Sequence, residues 1–346
     1  MPNMSANISH NKIQISASKR RLMLVLILLL WLLTIGALLW AMGAIIYDFP
    51  CSAMSKFAAF GLLIGCGMIA YRIRGPWRKL LGVASLILLI LLWWFSLRPS
   101  NQRNWQQDVA ESPWAEIKGD EITIHNVRRN DYRSESDYTT TWETRTVRLS
   151  QLAGCDIAIT YWGSPWMAHP IASFQFTDAP PICFSIETRK EVGEKYSAIG
   201  GIYRQYELIY IVADERDLIR LRTNFRKGED VYLYRTNATA EQTRDAFLEY
   251  LQAMNTLHVK PRWYNALTTN CTSAIRNQRE KSKRQRWDWR MLLNGKGDEM
   301  LYERNTIQRG GLSFAELKSC SHINQAAIKA DNDSNFSQKS ELNCRS

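Results

Sequence analysis

Two long stretches of the chain lack charged residues altogether: 25 residues at positions 22–46 and 18 at positions 80–97. A third stretch, 54–71, has Lys56 as its one charged residue and also contains three glycines. A helix of about 20 apolar residues crosses a hydrocarbon core about 30 Å thick. A buried soluble helix has a composition similar to the middle stretch, but no soluble segment lies nearby to bury it. The absence of charge therefore predicts three transmembrane helices, 22–46, 54–71 and 80–97.

The short flanks of these spans differ in which charge they lack. Residues 47–55 contain Asp48 and no basic residue, whereas residues 72–79 contain four basic residues and no acid. Three more basic residues precede the first span at 19–21. Because basic residues concentrate on the cytoplasmic side, we expect a cytoplasmic N-terminal tail (1–21) and a periplasmic location for everything after 97. The first span is far longer than the core of a cleaved signal peptide, about 7–15 residues.

Several chemical motifs are also missing. The seven cysteines include no CxxC pair, so zinc and redox sites have no support, and we predict neither a metal nor a cofactor. No Gly-x-Ser-x-Gly elbow surrounds Ser173, which argues against a serine hydrolase. In a domain that faces away from the cytoplasm, the net charge of +11 indicates membrane lipids or an acidic wall polymer as partners, not nucleic acid.

The part of the chain after the spans has the pattern of one α+β domain. We predict a linker at 98–118, a periplasmic domain at 119–318 and a disordered tail at 319–346, where the sequence turns polar. A capping box, Thr239 with Gln242, begins the clearest helix, Ala240–Leu257. Further helices are expected at Asp214–Phe225 and from Cys271 to Arg290. The strand-like segments are short and rich in β-branched and aromatic residues: 121–127, 139–149, 156–162, 171–176, 182–188, 205–213 and 230–235.

Cys271 is the strongest candidate for a nucleophile. It follows a loop and opens a helix, and the free N–H groups of a helix N-terminus favour a thiolate over a thiol. The same N–H groups stabilise an oxyanion on an attacked carbonyl. The alternative is a small buried cysteine that only packs the start of the helix.

A thiolate nucleophile needs a base, and His169 is the best placed histidine. It stands immediately before the strand that runs through Ser173 to Phe176, and a histidine entering a central strand can face a helix packed on the sheet. The alternative is a hydrogen-bonded structural histidine. The other four histidines have simpler explanations from their positions in the cytoplasmic tail, a strand, a helix end and the C-terminal tail: His10, His125, His258 and His322.

A third polar group comes from the strand that the Pro180-Pro181 turn joins to the strand after His169. Glu187 or Arg189 on this strand would orient His169 or bind a carboxylate or phosphate. A solvent-exposed or mutually paired Glu187 and Arg189 is the alternative.

Taken together, these motifs resemble a bacterial family named for the N-terminal periplasmic domain of the lipoprotein N-acyltransferase Lnb. The resemblance covers about residues 120–290 and rests on these segments: His169-Pro-x-x-Ser-Phe-x-Phe176, Ser185-Ile-Glu-Thr-Arg189, Arg204-Gln-Tyr-Glu-Leu-Ile-Tyr210, Asp214-Glu-Arg-Asp-Leu218, Arg222-Thr-Asn224 and Trp263-Tyr-Asn-x-Leu-Thr-x-Asn-Cys-Thr272. The resemblance implies a permuted papain-like (NlpC/P60-type) domain in which His169 is the base for Cys271. Ala168 stands where some branches of the family have glycine.

These observations predict a membrane-anchored cysteine acyltransferase or acyl hydrolase. Cys271, His169 and Glu187 are its expected catalytic residues, and Ser173, Arg189 and Asn270 are expected to contact substrate. The resemblance implies phospholipid as acyl donor and a lipoprotein amine as acceptor. Two alternatives remain open: a cell-wall peptide amidase or endopeptidase acting on peptidoglycan peptides, and a non-catalytic membrane-anchored binding protein.

Overall fold

The chain forms two compact units, one up to Arg98 and one from Pro99 onward. A computed structural model describes residues 17–50, 52–268, 271–279, 284, 286–292, 294–333 and 335–340.

The first unit is built of three apolar helices, which confirms the three predicted N-terminal helices. They are α1 (Ala17–Asp48), α2 (Ser52–Arg72) and α3 (Pro76–Ser96). Each is long and apolar enough to cross a membrane. The indole Nε1 of Trp94 in α3 donates a hydrogen bond to Asp48 Oδ2 at the end of α1, over 2.6 Å. This contact joins the first and third helices.

The second unit contains an eight-stranded sheet and seven helices among the described residues, which confirms the α+β class. The sheet order is β1-β2-β7-β6-β5-β4-β8, and β3 pairs with β2 outside this path. The strands are β1 (Trp114–Lys118), β2 (Glu121–Tyr132), β3 (Tyr138–Arg148), β4 (Leu152–Trp162), β5 (Ser164–Phe176), β6 (Ile182–Arg189), β7 (Glu207–Ala213) and β8 (Glu229–Arg235). The helices are α4 (Glu215–Arg220), α5 (Ala240–Val259), α6 (Cys271–Gln278), α7 (Gly297–Glu303), α8 (Phe314–Cys320), α9 (Asn324–Lys329) and α10 (Phe336–Ser340).

One side of the sheet, the α5 face, is covered by α5 and α6. Because side chains alternate along a strand, Phe174 of β5 and Phe184 of β6 both point to this side, where they contact Phe247 and Tyr250 of α5. Ala274 of α6 is buried in the same cluster. The rings meet mostly edge to face, which suits their quadrupoles.

The opposite side, the α4 face, is covered by α4, by the π-helical turn Leu221–Phe225 that continues it, and by the C-terminal helices α9 and α10. Its core combines Ile171 and Ile211 of the sheet with Leu218 of α4. The alternation of side chains also directs the buried acidic, basic and histidine residues of the described strands to this face: Arg128, Asp156, His169, Arg189 and Glu207.

The predicted disordered tail is wrong for most of its length. Residues 324–329 and 336–340 form α9 and α10, and Phe336 is 1% exposed in the core of the α4 face. Arg220 Nε also donates to Asp331 Oδ1 over 2.8 Å. The segment is held to α4 by a few apolar anchors, one ion pair and a hydrogen bond from Arg216 to the carbonyl of Asp333. Its polar composition therefore did not indicate order. Residues 341–346 lie outside the described residues.

Two further boundaries differ from the sequence predictions. The predicted linker, 98–118, contains β1, which pairs with β2, and Trp105, which is buried against the guanidinium of Arg189. Helix α6 ends at Gln278, well before Arg290. Arg284 donates to the carbonyls of Asn277 and Arg279, so a basic side chain caps the end of this helix instead of extending it.

Candidate active site

The start of α6 is fixed at one end of the sheet by the loop that precedes it. Leu208 N donates to Arg262 O over 2.8 Å, and Tyr264 N donates to Tyr206 O over 2.9 Å. The loop therefore runs beside the beginning of β7. Since β7 is antiparallel to β6, with Ile209 opposite Glu187, this is the end of the sheet at which β6 finishes. Helix α6 begins here with Cys271 and packs against β5 and β6.

A buried polar cluster around His169 lies at the same end of the sheet. His169 is 8% exposed, and its Nε2 is 2.7 Å from Ser185 Oγ and 3.2 Å from Glu187 Oε1. Ser185 Oγ donates to Glu187 Oε1 over 2.6 Å, so the serine oxygen is left to accept from His169. This arrangement requires a proton on Nε2. A neutral ring then carries its lone pair on Nδ1, which is the nitrogen a general base needs.

Glu187 is held as a carboxylate by its neighbours. Burial works to raise its pKa, but the charges of His169 and Arg222 and hydrogen bonds from His169 and Ser185 hold the pKa well below its ordinary value. Arg222 Nη2 donates to Glu187 Oε1 over 2.8 Å, and Arg222 is 4% exposed. A fixed carboxylate on Nε2 orients the imidazole and stabilises the imidazolium that forms when Nδ1 accepts a proton.

The geometry sets the direction from which a thiol can reach His169. The pairing of β5 with β6 runs from Ile171 opposite Ser185 to Phe174 opposite Ile182, so His169 lies just beyond it. His169 points to the α4 face, whereas α6 packs on the α5 face through Ala274. His169 and the packed part of α6 thus lie on opposite faces of the sheet. Asn270 and the side chain of Cys271 lie outside the described residues.

The other described cysteines of the domain are unsuited to nucleophilic attack. Cys155 and Cys183 are buried free thiols, and burial raises the pKa of both, so neither forms a thiolate readily. Cys320 is part of a disulfide. Among the described residues, no group of three or more His, Cys, Asp or Glu side chains is arranged to hold a metal ion.

Two residues expected to bind substrate have structural roles instead. Ser173 is fully buried, and its hydroxyl donates to Glu215 Oε1 over 2.5 Å. Arg189 is 2% exposed and donates to the carbonyls of Val109 and Ala110. Both side chains are used within the fold and present almost no surface to a ligand.

The other histidines of the domain also have partners within the fold. His125 stacks on Trp114, and His258 Nδ1 contacts Ser112 O. His322 Nε2 contacts Asp230 Oδ1. His169 is thus the only one of the domain's four histidines, all of them described, that touches Glu187.

Ser185 and Arg222 are site residues that the sequence analysis missed. Ser185 precedes Glu187 by two residues in one strand, so the period of two alone places both side chains on the same face. Arg222 comes from the π-helical turn after α4, and no local pattern links it to Glu187. Only the tertiary structure brings these two together.

One family model matches a region of the chain that contains the whole His169 cluster. Residues 138–295 match the family model of the Lnb N-terminal periplasmic domain. This part of the chain is therefore similar to the Lnb N-terminal periplasmic domain family. Comparison with curated proteins and with solved structures gives no significant match. The matched region begins with β3 and includes His169, Glu187, Arg222 and Cys271. The chain is therefore a membrane protein with an Lnb-type periplasmic domain, while the permuted papain-like topology stays a prediction.

Proposed function

We propose that the protein is a membrane-anchored cysteine acyltransferase or acyl hydrolase that moves an acyl chain from a phospholipid to a lipoprotein amine, or to water. One observation carries the proposal. His169 is buried and oriented through Nε2 by Ser185 and Glu187, at the end of the sheet where α6 begins with Cys271. A base whose far nitrogen is fixed by a carboxylate, combined with a cysteine at a helix N-terminus, is suited to acyl transfer through a thioester.

The reaction proceeds in two halves. His169 Nδ1 takes the thiol proton, and the Cys271 thiolate attacks the ester carbonyl to form a tetrahedral oxyanion, which the N–H groups at the start of α6 stabilise. The carbon–oxygen bond breaks, and His169 returns the proton to the departing glycerol oxygen. In the second half an amine or water attacks the thioester, its proton passes to His169, and the carbon–sulfur bond breaks to regenerate the thiol.

The three apolar helices give this chemistry a location. A long-chain acyl donor stays in the bilayer, so an enzyme that uses it gains from being anchored there. The basic flanks at 19–21 and 72–79 favour a cytoplasmic N-terminus and a periplasmic site, as expected for a bacterial inner-membrane protein. Reporter fusions at the N-terminus and after residue 97 test this orientation.

The test of the proposal is an acyl adduct on Cys271. Full-length protein in lipid nanodiscs is incubated with phospholipid, and its intact mass is measured before and after treatment with hydroxylamine, which cleaves thioesters. We expect a hydroxylamine-sensitive acyl mass on the unaltered protein and none on Cys271→Ala. Transfer to a lipoprotein peptide should fall by at least about a thousandfold in Cys271→Ala. Cys66→Ala, which removes a free thiol outside the domain, is the matched control and should keep both.

Two results would overturn the proposal. Cleavage of muropeptides without any lipid adduct would indicate a wall peptidase. Full activity in a folded Cys271→Ala protein would indicate a non-catalytic role for this cysteine.

A further inference from the structure

A large cavity lies on the α5 face of the sheet. Its volume is about 560 Å³, within the usual range for small-molecule sites. Aliphatic and aromatic side chains of β4 and β5 form its floor, including Ile157, Ile159 and Phe174. Met291 and Met300, from the segment after α6, form a further part of its lining. Methionine is flexible, so it adapts well to a ligand without a rigid shape.

The cavity is lined by the residues that follow the two candidate catalytic residues in sequence. Pro170, which follows His169, lines it, and so does Thr272, which follows Cys271. Because side chains alternate along β5, His169 points to the α4 face while Pro170 points into the cavity. Ile275, one turn after Cys271, lines the cavity as well. A group bound in the cavity would therefore extend from the start of α6 along the apolar floor.

Polar and apolar lining residues are separated in a way that restricts the ligand. Asp245 is exposed to solvent, and the side chain of Arg279, 39% exposed, pairs with Glu249 over 3.3 Å. Glu249 and Arg276, which also line the cavity, are partly buried. These charges come from α5, from α6 and from the residue that follows α6, whereas the floor on β4 and β5 is mainly apolar. A peptide would leave its backbone N–H and C=O groups without partners against such a floor, which is costly. An unbranched hydrocarbon has no polar group to satisfy.

We infer that this cavity binds the acyl chain that is transferred, with the carbonyl at the start of α6 and the chain along the floor. The inference rests on the proposed function and assigns its acyl-binding site. The acyl chain can belong to a phospholipid or to a free fatty acid, since both present the same hydrocarbon.

Ala246 offers a way to fill the cavity without touching the polar cluster. It lies on α5, lines the cavity and is only partly buried, so a larger side chain there enters the empty space. Ala240 lies on the same helix, is exposed and does not line the cavity. Ala246→Phe and Ala240→Phe are therefore a matched pair of variants.

The experiment is photo-crosslinking in the full-length Cys271→Ala protein, held in nanodiscs, where binding is measured without chemistry. One sample contains a phospholipid with a diazirine at the end of one acyl chain, and a second contains the corresponding free fatty acid. We expect crosslinks on peptides that carry Ile159, Met291 or Met300, from one or both lipids. Ala246→Phe should reduce these crosslinks at least about tenfold, and Ala240→Phe should leave them unchanged.

The two lipid samples identify the source of the chain, and labelling by either supports the site. Crosslinks confined to α1, α2 and α3 with both lipids would overturn the inference, as would equal cavity labelling in Ala246→Phe and Ala240→Phe. Because Cys271→Ala removes the nucleophile, this result is independent of the adduct test. Labelling without a thioester on unaltered protein would refute the proposed chemistry and leave the binding site standing.

Discussion

The two faces of the central sheet bury different chemistry. On the α5 face, Phe174, Phe184 and Phe247 pack edge to face, and the cavity beside them is lined mainly by apolar groups. On the α4 face, ionisable groups are buried under α4 and its π-helical turn. Arg128 pairs with Asp217 over 2.6 Å, and Arg222 pairs with Glu187.

In the proposed reaction, this difference separates the positioning of the base from the binding of the acyl chain. A base must be held in one orientation, and a network of hydrogen bonds with a fixed carboxylate does so more specifically than apolar packing. A hydrocarbon chain needs only apolar space of sufficient volume. The two requirements meet at the strand ends, where His169 and Pro170, adjacent in sequence, face opposite sides of the sheet. Three substitutions test this division.

The largest expected effect comes from Glu187→Gln, which replaces the carboxylate in the cluster around His169 by a neutral amide of the same size. A neutral amide does not stabilise an imidazolium, so the rate of acyl transfer should fall by about 10²–10⁴-fold. The preference for acyl-chain length should stay the same, since the proposed acyl-binding cavity lies on the α5 face. Transfer rates with short-chain and long-chain donors measure both quantities. Glu191→Gln, outside the cluster, is the control, and full activity in Glu187→Gln would refute the role of the carboxylate.

Phe247→Ala tests the other face. Phe247 is fully buried among the rings of Phe174, Phe176 and Phe184, so its truncation should lower the free energy of unfolding by about 3–5 kcal/mol. Leu248→Ala, at the next, partly exposed position, should cost much less. Denaturant titration of the full-length protein in micelles, followed by proteolysis, gives both values. Equal losses in the two variants would show that the ring cluster does not stabilise the α5 face.

The sequence predicted features that depend on local pattern. The capping box of Thr239 and Gln242 is present at the start of α5, and Phe247, Leu251 and Met254 are buried at helical spacing. Glu187 was also placed near His169 from the Pro-Pro turn, and the structure brings them to 3.2 Å.

Features that depend on tertiary contacts escaped prediction. The alternation of side chains along β5 does not indicate which face α4 covers. Ser173 was therefore expected to contact substrate, whereas its hydroxyl donates to Glu215. Arg222 reaches Glu187 from a distant turn, and Phe336 is one of several buried residues that hold the polar tail. Each depends on a partner more than 30 residues away, which local composition does not indicate.

Glu215→Gln is expected to have the smallest effect and tests whether buried charge on the α4 face is costly. Burial raises the pKa of Glu215 to about 7, although hydrogen bonds from Ser173 and Gln175 oppose the rise. The unfolded pKa is about 4.3, so the folded state binds the proton more tightly, and stability falls as pH rises from about 4.3 to 7.

Glutamine keeps the acceptor for Ser173 and carries no charge. Above pH 7 the Glu215→Gln variant should therefore be more stable than the unaltered protein by about 1–3 kcal/mol, and at pH 4.5 the two should be nearly equal. Glu207 has a pKa raised by burial to about 7 as well, so the difference between the two proteins at each pH is the quantity to measure. Thermal unfolding at pH 4.5, 6 and 8 gives it. If the variant is less stable than the unaltered protein at pH 8, then the ionised Glu215 stabilises the fold. That result would contradict the expectation that burying this charge on the α4 face is costly.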